Sequence, residues 1–167
     1  MERRTSPQTA VVFYSLEGNV RHLAQSIVRV TGAQSIELVP LEAGRDTEMT
    51  EYVWGDTRIV CPVRPEIEAL AHDFSSYDLV FLGSPVWKGG VAPPILSFLD
   101  SHDFFKQRFA LFCSYSGRSG AFFDSARQLL LGCDVVGTIG FREPLRFGPS
   151  RAAQQIADWA LKMLKSR

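Results

Sequence analysis

The sequence has no excess charge of either sign, because its 18 lysines and arginines equal its 18 aspartates and glutamates. A nucleic-acid binder normally carries a basic face, and a protein that docks by charge alone normally has a clear excess. Both classes are therefore disfavoured. No apolar run approaches the roughly 20 residues that cross a bilayer, so no membrane association is expected. Residues 1–8 are polar, lack the apolar stretch of a signal peptide, and are expected to form a flexible lead-in.

Cysteine and histidine are scarce, with three of each. Cys61, Cys113 and Cys133 are widely spaced and odd in number, and no C-x-x-C pair occurs. No histidine lies at zinc-ligand spacing from any of them, so no metal site is expected. Cysteines in this pattern are typical of a reducing compartment, which predicts a cytoplasmic protein.

Strand-like apolar runs alternate with helix-like stripes, a pattern typical of βα units and a parallel sheet. The apolar share of 46% is ordinary for a globular protein, and no linker or repeat interrupts the pattern, so residues 1–167 are interpreted as one domain. The predicted strands are 10–14, 35–39, 79–83, 109–113 and 135–141. Helices are predicted from Val20 to Gly32, from Pro93, over 122–130, and at the end of the chain, where Ser150 is expected to be the cap.

Residues 42–72 are the hardest part to interpret. Met49, Tyr52, Val53 and Trp54 give a weak helical stripe that stops at Gly55, and two later prolines disfavour a regular element. A helix, a partner surface and a lid over a bound ligand all remain open for this segment.

Three predicted strands end in the same way, in a serine followed by a loop that contains glycine. The loops begin at Ser15, Ser84 and Ser114. Parallel strands bring their carboxyl ends to one edge, where ligands bind in doubly wound sheets. Small residues let backbone N–H groups approach such a ligand closely. The first loop, residues 15–20, runs directly into a helix, whose N-terminus favours a phosphate group.

Two of these segments resemble the flavodoxin family. Residues 11–27, with S-L-E-G-N-V at their centre, are similar to the phosphate loop and first helix of that family. Residues 77–87, ending in G-S-P-V-W, are similar to its third strand and first flavin-contacting loop, and residues 114–120 fall where it has a second such loop. The resemblance implies an α/β fold with a doubly wound, five-stranded parallel sheet in the order 2-1-3-4-5. It also implies FMN bound across the first and third strands.

The cofactor contacts implied by the resemblance lie in the three loops. Trp87 and Tyr115 are expected to stack on the isoalloxazine ring. Lys88 and Arg118 are cations that would flank the ring and favour its negatively charged reduced form. The complete predicted set is Ser15, Leu16, Glu17, Gly18, Asn19, Val20, Ser84, Pro85, Val86, Trp87, Lys88, Gly89, Ser114, Tyr115, Gly117, Arg118 and Gly120.

The phosphate loop departs from the usual family pattern, T/S-x-T-G-x-T, at two of three hydroxyl positions. Glu17 and Val20 stand there, and only Ser15 is retained. Each hydrogen bond to a charged group is worth roughly 1.5–3 kcal/mol, so losing two would weaken FMN binding by about two to four orders of magnitude. The backbone N–H groups of the loop are unaffected by these replacements.

The resemblance implies an FMN-binding redox protein that transfers electrons through the bound flavin. One alternative is an FMN-dependent NAD(P)H oxidoreductase that reduces a quinone or another small acceptor, and the neutral net charge slightly favours it. Another is a binding module of the same fold that has lost tight FMN binding. No catalytic residue is identified. A redox partner protein, NAD(P)H and a quinone are all possible electron partners, and a monomer and a homodimer both remain open.

Overall fold

The computed structural model describes residues 7–166 and confirms the α/β fold class. Most of the predicted lead-in, residues 1–6, lies outside the described residues, whereas the backbone of Gln8 pairs with Asp78: its carbonyl accepts the Asp78 N–H at 2.7 Å. The strands are β1 Thr9–Phe13, β2 Gln34–Glu37, β3 Met49–Trp54, β4 Thr57–Pro62, β5 Leu79–Trp87, β6 Gly90–Val91, β7 Arg108–Tyr115 and β8 Asp134–Arg142. The helices are α1 Asn19–Thr31, α2 Pro93–Asp100, α3 Phe122–Leu129, α4 Pro144–Phe147 and α5 Pro149–Lys165.

Five parallel strands form the central sheet in the order β2-β1-β5-β7-β8, which confirms the predicted order 2-1-3-4-5. β1 is apolar apart from Thr9 and buried throughout, because helices cover both faces of the sheet. Val11 and Phe13 face α1 and α5. Ala10 and Val12 face the opposite layer, which contains α2 and α3. No helix within residues 7–166 is long and apolar enough to span a membrane.

This topology opens a crevice between β1 and β5. The chain leaves β1 for the helix layer that covers Val11, and it leaves β5 for the layer that covers Ala10. Because the two connections separate to opposite faces, a gap remains beyond the carboxyl ends of these strands. The three serine-initiated loops meet there.

Residues 49–62 form an antiparallel β-hairpin, so the helical stripe predicted from Met49 to Trp54 is wrong. β3 and β4 are joined by a two-residue turn in which Gly55 has φ +56°. In the hairpin, half-buried Tyr52 and Trp54 alternate with exposed Val53, a period of two that a helical stripe does not produce. In a stretch as short as residues 49–54, apolar residues spaced three or four apart do not distinguish a helix from a strand.

Most strand boundaries differ from the prediction by one or two residues, and the differences at β5 and at the final helix have a clear cause. β5 continues to Trp87 rather than ending at Gly83, because Val86 and Trp87 pair with β6 across a turn at Lys88 and Gly89. The final helix begins at Pro149, after Gly148, and no side chain caps it. Ser150 therefore lies inside the first turn. Proline is favoured at this first position because its φ is already helical.

Candidate functional site

A cavity of about 250 Å³ lies at the carboxyl ends of β1, β5 and β7. We call it the sheet-edge cavity. It brings together the three loops that the sequence predicts. The predicted residues that line it are Ser15, Leu16, Glu17, Asn19, Val20, Pro85, Val86, Trp87, Lys88, Gly89, Ser114, Tyr115 and Arg118. Five further residues complete the lining and were not predicted, namely Tyr52, Val53, Trp54, Ser116 and Glu143.

The first loop presents a row of backbone donors. Gly18 has φ +94°, a left-handed conformation that turns the chain into α1 and that glycine adopts without strain. Within residues 7–166, none of the N–H groups of residues 16–20 has a hydrogen-bond acceptor. These groups lie at the positive end of the helix dipole, so the loop is built to bind an anion.

Ser15 supports this loop in a way that the sequence does not disclose. Its buried hydroxyl oxygen accepts the N–H of Arg21 at 3.1 Å, which satisfies a donor in the first turn of α1. A hydroxyl also has a proton to donate, and that proton remains available to a bound phosphate oxygen. Asn19 has a second structural contact, because its Oδ1 accepts the N–H of Leu145 at 3.0 Å.

The charges around the loop are mixed. The Glu17 side chain is exposed, and Glu143 lines the cavity with its backbone at φ +33°. Behind the loop, the Nη1 atom of Arg21 lies 3.9 Å from where a Cβ on Gly18 would stand. Its guanidinium is held by Glu37, with Nε to Oε2 at 3.1 Å, and this hydrogen bond raises the pKa of Arg21. Because the Glu37 carboxylate neutralises it, Arg21 adds no net positive charge that would offset the repulsion of an anion by Glu17.

Trp87 is packed among other rings. It is 6% exposed, and its ring lies 5.0 Å from Tyr52, 5.6 Å from Trp54 and 5.7 Å from Tyr14, centroid to centroid. Two of these three neighbours come from the hairpin, which covers Trp87. Tyr52 and Trp54 are half-buried and line the cavity themselves. The aromatic wall of the cavity is therefore a cluster rather than the single residue that the sequence indicated.

The other predicted ring contacts are more open. Tyr115 is half-buried, and its carbonyl accepts the N–H of Glu143 at 2.9 Å. Lys88 directs its Nζ over the Tyr52 ring at 5.0 Å, which ties this cation to the hairpin. Arg118 is exposed at the rim of the cavity and forms no ion pair with any residue between 7 and 166.

Four predicted residues do not line the cavity: Gly18, Ser84, Gly117 and Gly120. Ser84 is 1% exposed, and its hydroxyl is used within the fold. It donates to the carbonyl of Pro85 at 2.7 Å and accepts the N–H of Ala92 at 2.9 Å. It therefore holds the turn at the end of β5 in place. Gly117 and Gly120 belong to the third loop but do not line the cavity.

The lining residues that the sequence did not indicate belong to different elements, and most of them come from the hairpin. Tyr52, Val53 and Trp54 belong to the hairpin, where the alternation of aromatic and exposed residues before Gly55 was the available signal. Glu143 begins α4 in a strained left-handed backbone conformation, and nothing in the local pattern indicates this. Among residues 7–166, no group of three histidine, cysteine or acidic side chains could hold a metal ion.

Residues 11–141 match the family model of the NADPH-dependent FMN reductases. The chain belongs to this family. No curated protein matches it significantly in sequence. Membership confirms FMN as the predicted cofactor and a flavin-based redox function. The donors of residues 16–20 and the aromatic wall fit a molecule that carries a phosphate at one end and a flat ring at the other.

Solved structures share the flavodoxin-like fold. A flavoprotein from Lactobacillus acidophilus NCFM, determined in complex with FMN, is 22% identical over 84% of this chain and 95% of its own, with a TM-score of 0.63. A flavodoxin, WrbA-like protein from Agrobacterium tumefaciens is 16% identical over 97% of this chain and 100% of its own, with a TM-score of 0.62. Flavodoxin 2 from Bacillus cereus is 17% identical over 95% and 98%, with a TM-score of 0.59. At these identities the similarity extends to the fold alone.

Proposed function

We propose that this family member binds FMN in the sheet-edge cavity and oxidises NAD(P)H directly, without a partner reductase. A small molecule, rather than a docked protein, receives the electrons. The observation that carries the proposal is the shape and chemistry of one cavity: an anion-binding loop, an aromatic wall and an exposed arginine at the rim. When bound, FMN supplies a centre that accepts a hydride and passes its electrons on.

The phosphate of FMN is assigned to residues 15–20. The five backbone N–H groups of residues 16–20 have no acceptor within residues 7–166, and the Ser15 hydroxyl proton and the N-terminus of α1 lie beside them. Backbone donors supply what the side chains at Glu17 and Val20 do not. The exposed Glu17 carboxylate can rotate into solvent, which reduces its repulsion of the phosphate.

The isoalloxazine ring is assigned to the space between the hairpin and the third loop. Tyr52 and Trp54 approach this space from one side and Tyr115 from the other, and all three are half-buried. An offset aromatic contact contributes about 0.5–1.5 kcal/mol beyond the buried area. In this arrangement Trp87 supports the hairpin rings from beneath, and the hairpin serves as the lid over the flavin.

Arg118 is assigned to the pyridine nucleotide. It is an exposed cation at the rim, and its guanidinium fork matches the geometry of a phosphate group. The chain has no excess acid with which to dock a basic redox protein, so direct contact with a small anionic donor is favoured.

The oligomeric state, monomer or homodimer, can be measured on the same preparation by light scattering.

The first test is cofactor binding. The purified protein is stripped of flavin and titrated with FMN, with the visible flavin spectrum and protein fluorescence as readouts. Saturable binding that weakens in Trp54→Ala and Tyr115→Ala supports the assigned ring site. Absence of binding at high micromolar FMN would refute the proposal and favour a module that has lost the cofactor.

The second test is the electron donor. NADPH is added to the FMN-loaded protein under anaerobic conditions with no other protein present, and loss of the flavin absorbance is followed. Arg118→Gln should raise the KM for NADPH, whereas the matched control Arg127→Gln, on the exposed surface of α3, should leave it unchanged. Bleaching that requires an added reductase would identify an electron carrier instead.

A further inference from the structure

A second cavity of about 270 Å³ lies on another side of Trp87, beneath the hairpin and beside the start of α2. Five prolines line it, Pro40, Pro62, Pro65, Pro93 and Pro94, and we call it the proline cavity. None of its lining residues carries a charge. It shares Trp87 with the sheet-edge cavity and no other residue.

The walls of this cavity suit an apolar molecule. A proline has no backbone N–H, so these five positions offer no main-chain donor to a ligand. Fixed proline φ angles also hold the walls in one shape and reduce the ordering cost of binding. A charged ligand would lose its hydration here and gain no opposite charge in return.

Tyr14 supplies the polar contact. It is 9% exposed and lines the proline cavity but not the sheet-edge cavity. Among residues 7–166 its hydroxyl has no hydrogen-bond partner. Although the residue is mostly buried, its unpaired hydroxyl oxygen keeps some accessible surface and can therefore reach a ligand in the cavity that Tyr14 lines. Burial raises the pKa of Tyr14, with a smaller contribution from nearby Cys61, so the hydroxyl keeps its proton and is a donor.

We propose that the proline cavity is a separate binding site for an uncharged one- or two-ring compound whose carbonyl oxygen accepts a hydrogen bond from Tyr14. The volume lies near the lower end of the range for small-molecule sites, roughly 300 Å³, and admits a compound of this size. Trp87 and Ile59 provide the apolar contact surface. The site stands apart from the phosphate loop and does not depend on where FMN binds.

The experiment measures binding of 1-tetralone, an uncharged bicyclic ketone, by saturation-transfer NMR. Tetralin, which has the same shape without the carbonyl, is the matched probe. Both are titrated into the full chain with and without saturating FMN, which separates this cavity from the sheet-edge cavity. We expect 1-tetralone to bind in both conditions and more tightly than tetralin.

Two variants locate the site. Tyr14→Phe removes only the hydroxyl and should weaken 1-tetralone by about 2- to 12-fold, the effect of one neutral hydrogen bond, without changing tetralin binding. Ala43→Trp places a large ring into the cavity from an exposed lining position and should abolish binding of both probes. Circular dichroism checks that each variant is folded. Failure of 1-tetralone to bind, its displacement by FMN, or unchanged binding in Ala43→Trp would overturn the proposal, and Ala43→Trp decides the matter if Tyr14→Phe does not fold.

Discussion

Replacing Trp87 by alanine tests whether this residue holds the structure together before it contacts any cofactor. The ring is 6% exposed and packs against Tyr14, Tyr52 and Trp54, so the substitution removes the centre of the cluster that joins the hairpin to the sheet. A residue that served only to stack on the flavin would be largely exposed without it. Loss of Trp87 should therefore destabilise the protein even when no FMN is present.

The size of the effect follows from burial. Truncating a buried tryptophan to alanine costs about 3–5 kcal/mol of unfolding free energy, because the transfer of the ring out of water is lost and a cavity remains. For a domain of this length, 1 kcal/mol corresponds to roughly 2–4 °C in Tm, so the expected decrease is roughly 6–20 °C. Trp54→Ala is the matched control, because Trp54 is half-buried in the same cluster.

The assay is thermal and urea unfolding of the flavin-free proteins, followed by titration with FMN. The free energy of unfolding should fall more in Trp87→Ala than in Trp54→Ala. For each kcal/mol of stability lost, however, Trp54→Ala should lose more FMN affinity than Trp87→Ala. A Trp87→Ala protein that unfolds at the wild-type temperature in the absence of FMN, but binds FMN poorly, would refute this reasoning. Such a result would indicate that Trp87 stacks directly on the flavin and that the hairpin does not cover it.

Three further outcomes are expected. Glu17→Gln should bind FMN about fivefold more tightly at low ionic strength, with the gain shrinking as salt is added, because a screened surface repulsion is removed. Gly83→Ala should destabilise the protein by about 1–3 kcal/mol or more in urea unfolding, since its Cβ would lie 2.2 Å from the Phe112 ring, whereas Gly117→Ala, with no atom within 4 Å, should be nearly neutral. Burial raises the pKa of Cys113 to about 12, so at pH 8 only about one thiol in 10⁴ is ionised, and mass spectrometry should find it alkylated far more slowly than the two half-buried cysteines. Alkylation at equal rates would contradict this burial.

The parts of the fold that could be predicted are those that depend on the local pattern of apolar and polar residues along the chain. An uninterrupted apolar strand such as β1 needs cover on both faces, and alternating strands and helices then leave few topologies other than a parallel sheet. The position of the phosphate loop follows from the same pattern, because it is the first connection of such a sheet. For these features the nearest residues along the chain supply most of the information.

The hairpin was missed because its stability comes from contacts that are distant in sequence. Tyr52 and Trp54 give a spacing compatible with either a helix or a strand, and only their packing on Trp87 selects the strand. The same holds for Ser84. Its position after an apolar strand indicates a ligand contact, yet its hydroxyl is engaged by Pro85 and Ala92.

The amino-acid sequence by itself determined the parallel sheet and the location of the loop at residues 15–20, because hydrophobic period and chain connectivity set these. The strand order followed from the resemblance to the flavodoxin family. Tertiary structure alone decided how the polar and aromatic groups at the sheet edge are used. The Ser15 hydroxyl accepts an N–H from the first turn of α1, the Trp87 ring lies beneath a hairpin, and the Tyr14 hydroxyl has no hydrogen-bond partner among residues 7–166. Each of these outcomes depends on which distant atom lies within about 3–4 Å, and such proximity arises only after the chain has folded.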